Sequence, residues 1–381
     1  MSLYVLSVPE FYKIKDRWNV AENFLIGIKF KQWLKLTQQN GIDPYYWHRA
    51  AFITFVSLFN SAAAKVQETI YSHKIQSSQI TKAPVFILGH WRSGTTLLHN
   101  ILSKDTNNFS FPNTYQVLNP STFLLSERVV APIFDFLSDS TRPMDNVEMG
   151  MKMPQEDEFA PLLETLYSVY LAMAFPSRND YFQRYLSFDD AHDHEREAWK
   201  RAFLEFSKKL TFKYGADKSI LYKTPSHTAR IKILLEMFPD AKFIHISRDP
   251  YRVIESSRHY FDKAAWKFYL QRPDLEKLDD QIITRYNALY QAYFNHRHLI
   301  ASKNLVEVKF EDFERDPMSH IERIYSQLDL PDYAAAEPSL QNYVESLKGY
   351  KKNKFEELTP ELKTKIKEQC SSHFDSLGYL T

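Results

Sequence analysis

Glycine is scarce in this chain. Only 8 glycines stand among 381 residues, whereas average usage is about 7%. No two of them are separated by a single residue, which excludes the G-x-G-x-x-G loops of dinucleotide-binding enzymes and protein kinases. Gly89 and Gly94 nevertheless lie close together, bounding a short segment rich in hydroxyl and basic residues. This pair of glycines therefore needs an explanation.

Cysteine, excess charge and long apolar runs are missing as well. The one cysteine, Cys370, excludes an intrachain disulfide and cysteine-based zinc sites, and it is typical of a reducing compartment. With 48 basic and 47 acidic residues, no nucleic-acid partner is expected and any anion site must be local. The chain has neither a signal-peptide pattern nor an apolar run of about 18 residues. We therefore expect a cytoplasmic protein.

Residues 1–80 are predicted to form an N-terminal helical extension. An apolar stripe follows Asp43-Pro44 at helical spacing. Its members are Phe52, Phe55, Phe59, Ala62, Val66 and Ile70. We expect a helical hairpin packed on the main domain. The alternative is that residues 45–70 touch a membrane or line the entrance for an apolar substrate, because aromatic and basic side chains interleave there.

From residue 81 to residue 381 the pattern is that of an α/β domain. Short β-rich runs at 85–88, 219–222, 242–247 and 305–309 alternate with helical segments, which predicts a parallel sheet flanked by helices. Residues 106–218 are predicted to be a largely helical insertion in this domain.

Residues 85–98 have the pattern of a strand, a glycine-bounded loop and the start of a helix. Backbone N–H groups of such a loop, together with the helix N-terminus, bind anions. The spacing of Gly89 and Gly94 matches a nucleotide phosphate loop, which continues with lysine and then serine or threonine. Here Thr95 replaces the lysine, and Arg92 inside the loop supplies the positive charge. This favours an anion site over a simple helix cap and weakens a kinase or NTPase interpretation.

The Arg-Ser-Gly-Thr-Thr segment after a buried strand resembles the 5′-phosphosulfate loop of sulfotransferases that use 3′-phosphoadenosine 5′-phosphosulfate (PAPS). Members of that family usually carry proline before the basic residue, where this chain has Trp91. The resemblance implies a phosphate-loop-like α/β fold and a loop that binds the 5′ end of PAPS. The loop residues to which it assigns this role are Arg92, Ser93, Gly94, Thr95 and Thr96.

Two further segments carry the resemblance. Residues 241–250 form a predicted strand that ends near Arg248, and Ser256 follows on the next helix. In the family, an arginine and a serine at this spacing bind the 3′-phosphate of PAPS, and a guanidinium offers phosphate a planar pair of donors. Lys223, in residues 221–227, matches a lysine that contacts the bridging oxygen of the donor. Negative charge grows on that oxygen as the S–O bond breaks, so an ammonium there stabilises the transition state.

Residues near the carboxyl terminus extend the resemblance. Residues 308–313 resemble a strand-end segment whose aromatic side chain contacts adenine, with Phe310 in place of the usual tyrosine. The lysine-rich stretch 348–353 lies where the family often closes a basic lid. The resemblance therefore assigns Phe310 to adenine, and Lys351 and Lys352 to the 3′-phosphate.

A base is needed because the acceptor hydroxyl must lose its proton as it attacks sulfur. Family members use histidine or glutamate for this step. Glu156 and Glu158 belong to a carboxylate cluster, where like charges favour a base near neutrality; the alternative is acidic decoration of a helix N-terminus. His227 is the third candidate, and the sequence leaves all three open.

These inferences predict a sulfotransferase that transfers the sulfuryl group of PAPS to a hydroxyl and needs no metal. Lys223 and Arg92 are expected to stabilise the departing phosphate. Aromatic side chains, among them Tyr167, Tyr170 and Phe175, favour a hydrophobic alcohol such as a sterol or lipid, with a sugar as the alternative acceptor. The rival hypotheses are a nucleotide kinase or NTPase with a variant phosphate loop, and a non-catalytic nucleotide-binding protein.

Overall fold

A parallel β-sheet forms the centre of the structure, a computed structural model that describes residues 15–137, 150–349 and 357–379. Within these residues the sheet strands are β1 (Val85–Leu88), β2 (Phe109–Ser110), β3 (Ser219–Lys223), β4 (Lys242–Ser247) and β5 (Leu305–Lys309). Their order is β2-β3-β1-β4-β5, and every neighbouring pair is parallel. The predicted fold class is therefore confirmed.

Side chains of β1 alternate between the two faces of the sheet, as strand geometry requires. Phe86 and Leu88 enter one apolar cluster, whereas Val85 and Ile87 enter another on the opposite face. All four are fully buried, because helices cover both sides of a parallel sheet. This burial on both faces explains why β1 is a continuous apolar run in the sequence.

The helices surround this sheet and account for most of the described chain. The α-helices are α1 (Phe30–Asn40), α2 (Trp47–Ser77), α3 (Thr95–Leu102), α4 (Thr114–Leu118), α5 (Phe123–Leu137), α6 (Phe159–Thr165), α7 (Leu171–Ala174), α8 (Asn179–Gln183), α9 (Asp193–Tyr214), α10 (Ile231–Met237), α11 (Pro250–Lys263), α12 (Leu278–His296), α13 (Phe310–Arg315), α14 (Pro317–Gln327), α15 (Tyr333–Ser346) and α16 (Pro360–Leu377). Short 3₁₀ helices span Phe24–Gly27, Pro44–Tyr46, Pro176–Arg178, Pro225–Ala229, Ala265–Lys267, Arg297–Leu299 and Ser302–Asn304.

Four predicted strands coincide with β1, β3, β4 and β5 to within a residue. The edge strand β2 was not predicted, because two residues are too few to show a periodic pattern. A division of the chain near residue 80 stays a prediction. Phe24 and Trp33 share one apolar cluster with Phe86 of the sheet, so the N-terminal helices and the sheet have a common core.

Helix α2 differs from the expectation for its apolar stripe. It does pair with α1, where the indole of Trp33 donates a hydrogen bond to Thr54 Oγ1 at 2.7 Å. The stripe itself is turned outwards, with Phe55, Phe59 and Val66 exposed. Among the described residues, no helix has the length and apolar character that crossing a membrane requires.

Candidate active site

The three segments singled out in the sequence meet at one edge of the sheet. Strand β1 lies between β3 and β4, with Ile87 opposite both Lys223 and Ile244. The loops that follow these three parallel strands therefore lie side by side. Ligands of open α/β sheets bind at this carboxyl edge, where the strand order reverses.

The loop after β1 is held in a tight turn by a hydrogen bond within the loop and by another to the segment that follows β3. Gly89 N–H donates to Thr228 Oγ1 at 2.7 Å, and Ser93 Oγ donates to the carbonyl of His90 at 2.8 Å. Arg92 and Gly94 have φ angles of +71° and +98°, and Gly94 precedes helix α3. Residues with left-handed φ at such a turn direct backbone N–H groups toward one point, which creates an anion-binding concavity.

Both close packing and the φ angle require a glycine at position 94. A Cβ added there would lie 2.2 Å from Cδ2 of Phe310. Phe310 begins α13 and is buried, with the guanidinium carbon of Arg248 4.4 Å from its ring centroid. The aromatic residue predicted to contact adenine thus packs between the loop and Arg248.

The two predicted anion sites are joined by direct hydrogen bonds. Arg92 Nε donates to Ser256 Oγ at 2.9 Å, and Arg248 Nη1 donates to the carbonyl of Arg92 at 3.1 Å. Burial lowers the pKa of Arg248 below its ordinary value, with Glu311 opposing the shift and Arg92 adding to it. Two arginines this close together, one of them desolvated, make the region strongly attractive to a multiply charged anion.

A chain of polar contacts links β3 to the loop. Lys223 Nζ donates to Glu156 Oε1 at 2.9 Å, the hydroxyl of Tyr170 donates to Glu156 Oε2 at 2.5 Å, and the indole N–H of Trp91 donates to the Tyr170 hydroxyl at 3.1 Å. Burial, and next the charge of Glu156, raise the pKa of Tyr170 well above 10. Tyr170 therefore keeps its proton and holds Glu156 in place.

The other two base candidates lie in buried pairs. Glu158 accepts hydrogen bonds from both terminal nitrogens of Arg230, at 2.5 and 3.0 Å, and neither side chain is exposed. His227 Nε2 lies 2.5 Å from Asp157 Oδ2, also with both side chains fully buried. Among the described residues that line the main cavity, Glu156 is present whereas Glu158 and His227 are not.

That cavity has a volume of about 220 Å³ and is lined by both polar and apolar side chains. Its polar lining includes Arg92, Thr95, Thr96, Gln155 and Glu156, together with the charged residues Glu22, Lys267 and Arg285. Its apolar lining includes Phe159, Val169, Met173, Phe261, Ala264 and Phe268. A charged group bound at the loop would thus share the cavity with Glu156 and with apolar wall residues.

Three expectations about residues around the cavity have different outcomes. Tyr170 lines it, but Tyr167 and Phe175 do not belong to its described lining, since Phe175 is a fully buried core residue and Tyr167 packs on Tyr185. Lys351 and Lys352 lie outside the described residues, so their assignment to the 3′-phosphate stays a prediction.

Arg285 is a site residue that sequence reasoning missed. It lies on α12, lines the cavity, and donates from Nη2 to Asn179 Oδ1 at 2.8 Å. Burial lowers its pKa to about 10, and within the described chain no carboxylate forms an ion pair with it. No motif surrounds Arg285 in the sequence, so only the packing of α12 against the site reveals it.

The fold and this site define a class of protein, and the comparisons agree with it. A profile described as the sulfotransferase family matches residues 84–334. The chain belongs to the sulfotransferase family, and it is an enzyme that transfers sulfate. The family resemblance expected from the loop sequence is confirmed, and the kinase or NTPase alternative is not favoured.

The chain is similar over nearly its whole length to particular members of the family. It is 36% identical over 368 residues to omega-hydroxy-beta-dihydromenaquinone-9 sulfotransferase Stf3 of Mycobacterium tuberculosis and of Mycobacterium bovis, covering 96% of this chain and 93% of the relative. Among solved structures, sulfotransferase STF1 of M. tuberculosis matches with a TM-score of 0.63 at 16% identity, covering 90% of this chain and 92% of that chain. Sulfotransferase STF9 of Mycobacterium avium matches with a TM-score of 0.63 at 19% identity, covering 93% and 97%. These two structures share the fold.

Proposed function

We propose that this sulfotransferase transfers the sulfuryl group of PAPS to the hydroxyl of a lipid. The single observation that carries the proposal is the continuity of the cavity, which is lined by the anion loop, by Glu156 and by an apolar wall. A donor with a charged group and an acceptor with an apolar body fit the polar and the apolar lining of such a cavity.

The described residues fit a donor with phosphate on both sides of a nucleoside. The loop at Gly89–Gly94 is a cradle for the 5′ end, and Arg92, Thr95 and Thr96 stand at its cavity side. Arg248 and Ser256, both hydrogen-bonded to Arg92, are proposed to bind the 3′-phosphate. Two anion sites in direct contact favour PAPS over a donor with phosphate on one side only.

Glu156 is proposed as the base because of its position. It lines the cavity and accepts hydrogen bonds from Tyr170 and Lys223. The acceptor oxygen would form a bond to sulfur while its proton passes to the Glu156 carboxylate. The S–O bond to the donor phosphate breaks, and its electron pair stays on that phosphate. Lys223 is released from a negative partner as Glu156 becomes neutral, so its charge can stabilise the departing oxygen.

The acceptor is proposed to be a lipid alcohol rather than a sugar. Part of the cavity wall is apolar, through Phe159, Met173 and Phe261 among others, and burial of apolar acceptor surface against it is favourable. The relative at 36% identity carries in its name an omega-hydroxylated menaquinone. An isoprenoid or other lipid chain with a terminal hydroxyl is therefore the acceptor class that we propose.

The test is transfer of radiolabelled sulfate from PAPS to a panel of lipid alcohols, sterols, phenols and sugars. We expect labelled product with lipid alcohols, together with thermal stabilisation of the protein by 3′-phosphoadenosine 5′-phosphate, since a ligand that binds only the folded state stabilises it. Stabilisation without any labelled lipid would overturn the proposed acceptor class. Neither stabilisation nor product would overturn the donor assignment.

A further inference from the structure

Helix α2 presents many of its large apolar side chains to solvent and several polar side chains to the protein, although Ile53 and Ile75 are buried too. The residues of α2 that are buried include Arg49, Ser57 and Gln67, whereas Phe55 and Phe59 are each 61% exposed. Arg49 explains part of this orientation, because its guanidinium donates to the carbonyls of Trp266 and Tyr269, both at 2.8 Å. The polar anchors thus keep the apolar stripe facing outwards.

The outward stripe runs along most of α2 and continues on a neighbouring helix. Its members on α2 are Trp47, Phe55, Leu58, Phe59, Val66 and Ile70. Gln67 of α2 accepts a hydrogen bond from the backbone N–H of Leu124 at 2.8 Å, which ties the start of α5 to α2. Helix α5 adds three exposed residues at helical spacing, Val129, Ile133 and Phe136. We call these nine residues the outer apolar face; a set this large on a water-soluble surface marks an interaction site.

The amino-terminal end of α2 lies beside the cavity. Trp18, which is 72% exposed, packs its ring on His48 with centroids 4.8 Å apart. The carbonyls that Arg49 binds belong to the turn around Ala265–Lys267, and Lys267 with its ion-pair partner Glu22 lines the cavity. An apolar molecule that leaves the outer apolar face at this end is therefore close to the cavity.

Charge decides between the partners that could cover this face. Between residues 24 and 80 the exposed basic side chains are Lys31, Lys35, Lys65 and Lys74, since Arg49 is buried and Lys29 pairs with Glu164; the acidic residues there are Asp43 and Glu68. Asp43 pairs with Arg272, and Glu68 with Lys65. A symmetric dimer would bring this basic region against its own copy, since the same patch appears on both sides of a two-fold interface. An anionic lipid surface instead complements both the apolar and the basic side chains.

We infer that the outer apolar face docks this enzyme on the surface of an anionic membrane. Helix α2 would lie in the plane of the interface with Phe55 and Phe59 inserted among the lipid chains, and Lys31, Lys65 and Lys74 near the headgroups. The docking itself is independent of the sulfuryl transfer. Its consequence, that a lipid acceptor passes from the membrane into the cavity, rests on the proposed function.

The test is vesicle flotation of the full chain without donor or acceptor. One set of vesicles contains phosphatidylcholine alone and the other contains added phosphatidylglycerol. We expect the wild type to float with the anionic vesicles and the double variant Phe55→Ser/Phe59→Ser to bind at least about tenfold more weakly, because two buried aromatic side chains are lost. Leu299→Ser is the matched control, since Leu299 is also an exposed apolar residue but lies outside the outer apolar face.

Each result of this test decides the inference. Wild type that stays unbound, equal binding to both vesicle types, or an equal loss in the Leu299 variant overturns it. Light scattering in the absence of vesicles tests self-association: a dimer that the double variant converts to a monomer would assign the face to a second copy. Transfer to a short, water-soluble alcohol should be the same in wild type and double variant, so failure of membrane docking is distinguishable from failure of the proposed function.

Discussion

The ammonium nitrogen of Lys223 lies 2.9 Å from a carboxylate oxygen of Glu156, although 67 residues separate the two in the chain. Lys223 ends strand β3, and Glu156 precedes helix α6 and lines the cavity. Lys223, which is suited to stabilise the leaving group, is thus held beside Glu156, which is suited to accept a proton.

Glu156→Gln should lower kcat by about a hundredfold or more, because the amide keeps the shape of the carboxylate but accepts no proton. Affinity for 3′-phosphoadenosine 5′-phosphate should change little, since Glu156 does not belong to the loop. Both are measurable by steady-state kinetics and calorimetry. Met173→Leu is the control, a cavity-lining change of similar volume that carries no titratable group.

His227→Gln gives the opposite pattern if Glu156 is the base. The imidazole is buried against Asp157, so its loss should lower Tm, whereas kcat of the folded enzyme should stay within about tenfold of wild type. A large fall in kcat at unchanged Tm would instead make His227 the base, as the sequence had allowed.

Arg248→Ala should raise the KM for the donor by about tenfold to a hundredfold, since a hydrogen bond to a charged group contributes about 1.5–3 kcal/mol. The matched control is Arg252→Ala on the same stretch of chain, where the guanidinium is 62% exposed and pairs with Glu255. Equal effects of the two substitutions on donor KM would show that general positive charge, and not a specific 3′-phosphate contact, binds the donor.

Gly94→Ala should destabilise the protein and abolish donor binding. The new methyl would meet the ring of Phe310, and a φ of +98° disfavours any residue with a Cβ. Gly349→Ala separates the two effects, because Gly349 has a φ of +100° with nothing within 4 Å of its added Cβ. Thermal unfolding should show the backbone strain of about 1–2 kcal/mol in both variants, with a further loss only in Gly94→Ala. Equal losses would refute the packing role of Gly94.

Arg285→Met should change acceptor preference. A cation buried in the cavity wall is costly unless a partner offsets it, and an oxygen-bearing acceptor headgroup is the partner expected here. The KM should therefore rise for acceptors that carry a carbonyl or anionic group near the hydroxyl and stay constant for simple long-chain alcohols. The variant itself should be as stable as wild type. A uniform rise in KM across both acceptor classes would contradict this role.

Stability should fall as the pH drops from 6.5 toward 4. Burial lowers the pKa of His90 and of His245 from 6.5 to about 4. The unfolded chain therefore takes up these protons first, and each histidine contributes a slope of about 1.4 kcal/mol per pH unit in this window, with stability fully present above it. Urea unfolding at several pH values measures the slope, and His245→Asn should reduce it by about one proton. An unchanged slope in that variant would exclude His245 as a contributor.

Local features of the chain could be predicted from the sequence because each depends on short-range chemistry. The run Val85–Leu88 followed by Gly89, Arg92 and Gly94 carries its strand, its turn and the proposed anion site within a few residues. The same holds for β4 and the arginine that follows it. Strand β2 and Arg285 lacked any such signal, since one is two residues long and the other stands alone on a helix.

The three candidates for the base, Glu156, Glu158 and His227, could be distinguished only by their long-range contacts. Glu158 and Glu156 are two residues apart, yet one is enclosed with Arg230 and the other faces the cavity with Tyr170 and Lys223. The resemblance of short motifs was thus sufficient for the family, and local patterns for four strands of the sheet and the turn after β1, because those follow from local propensity and backbone conformation. The partner of each buried charge, and the outward direction of the α2 stripe, were decided by packing between segments far apart in the chain, which no local pattern encodes.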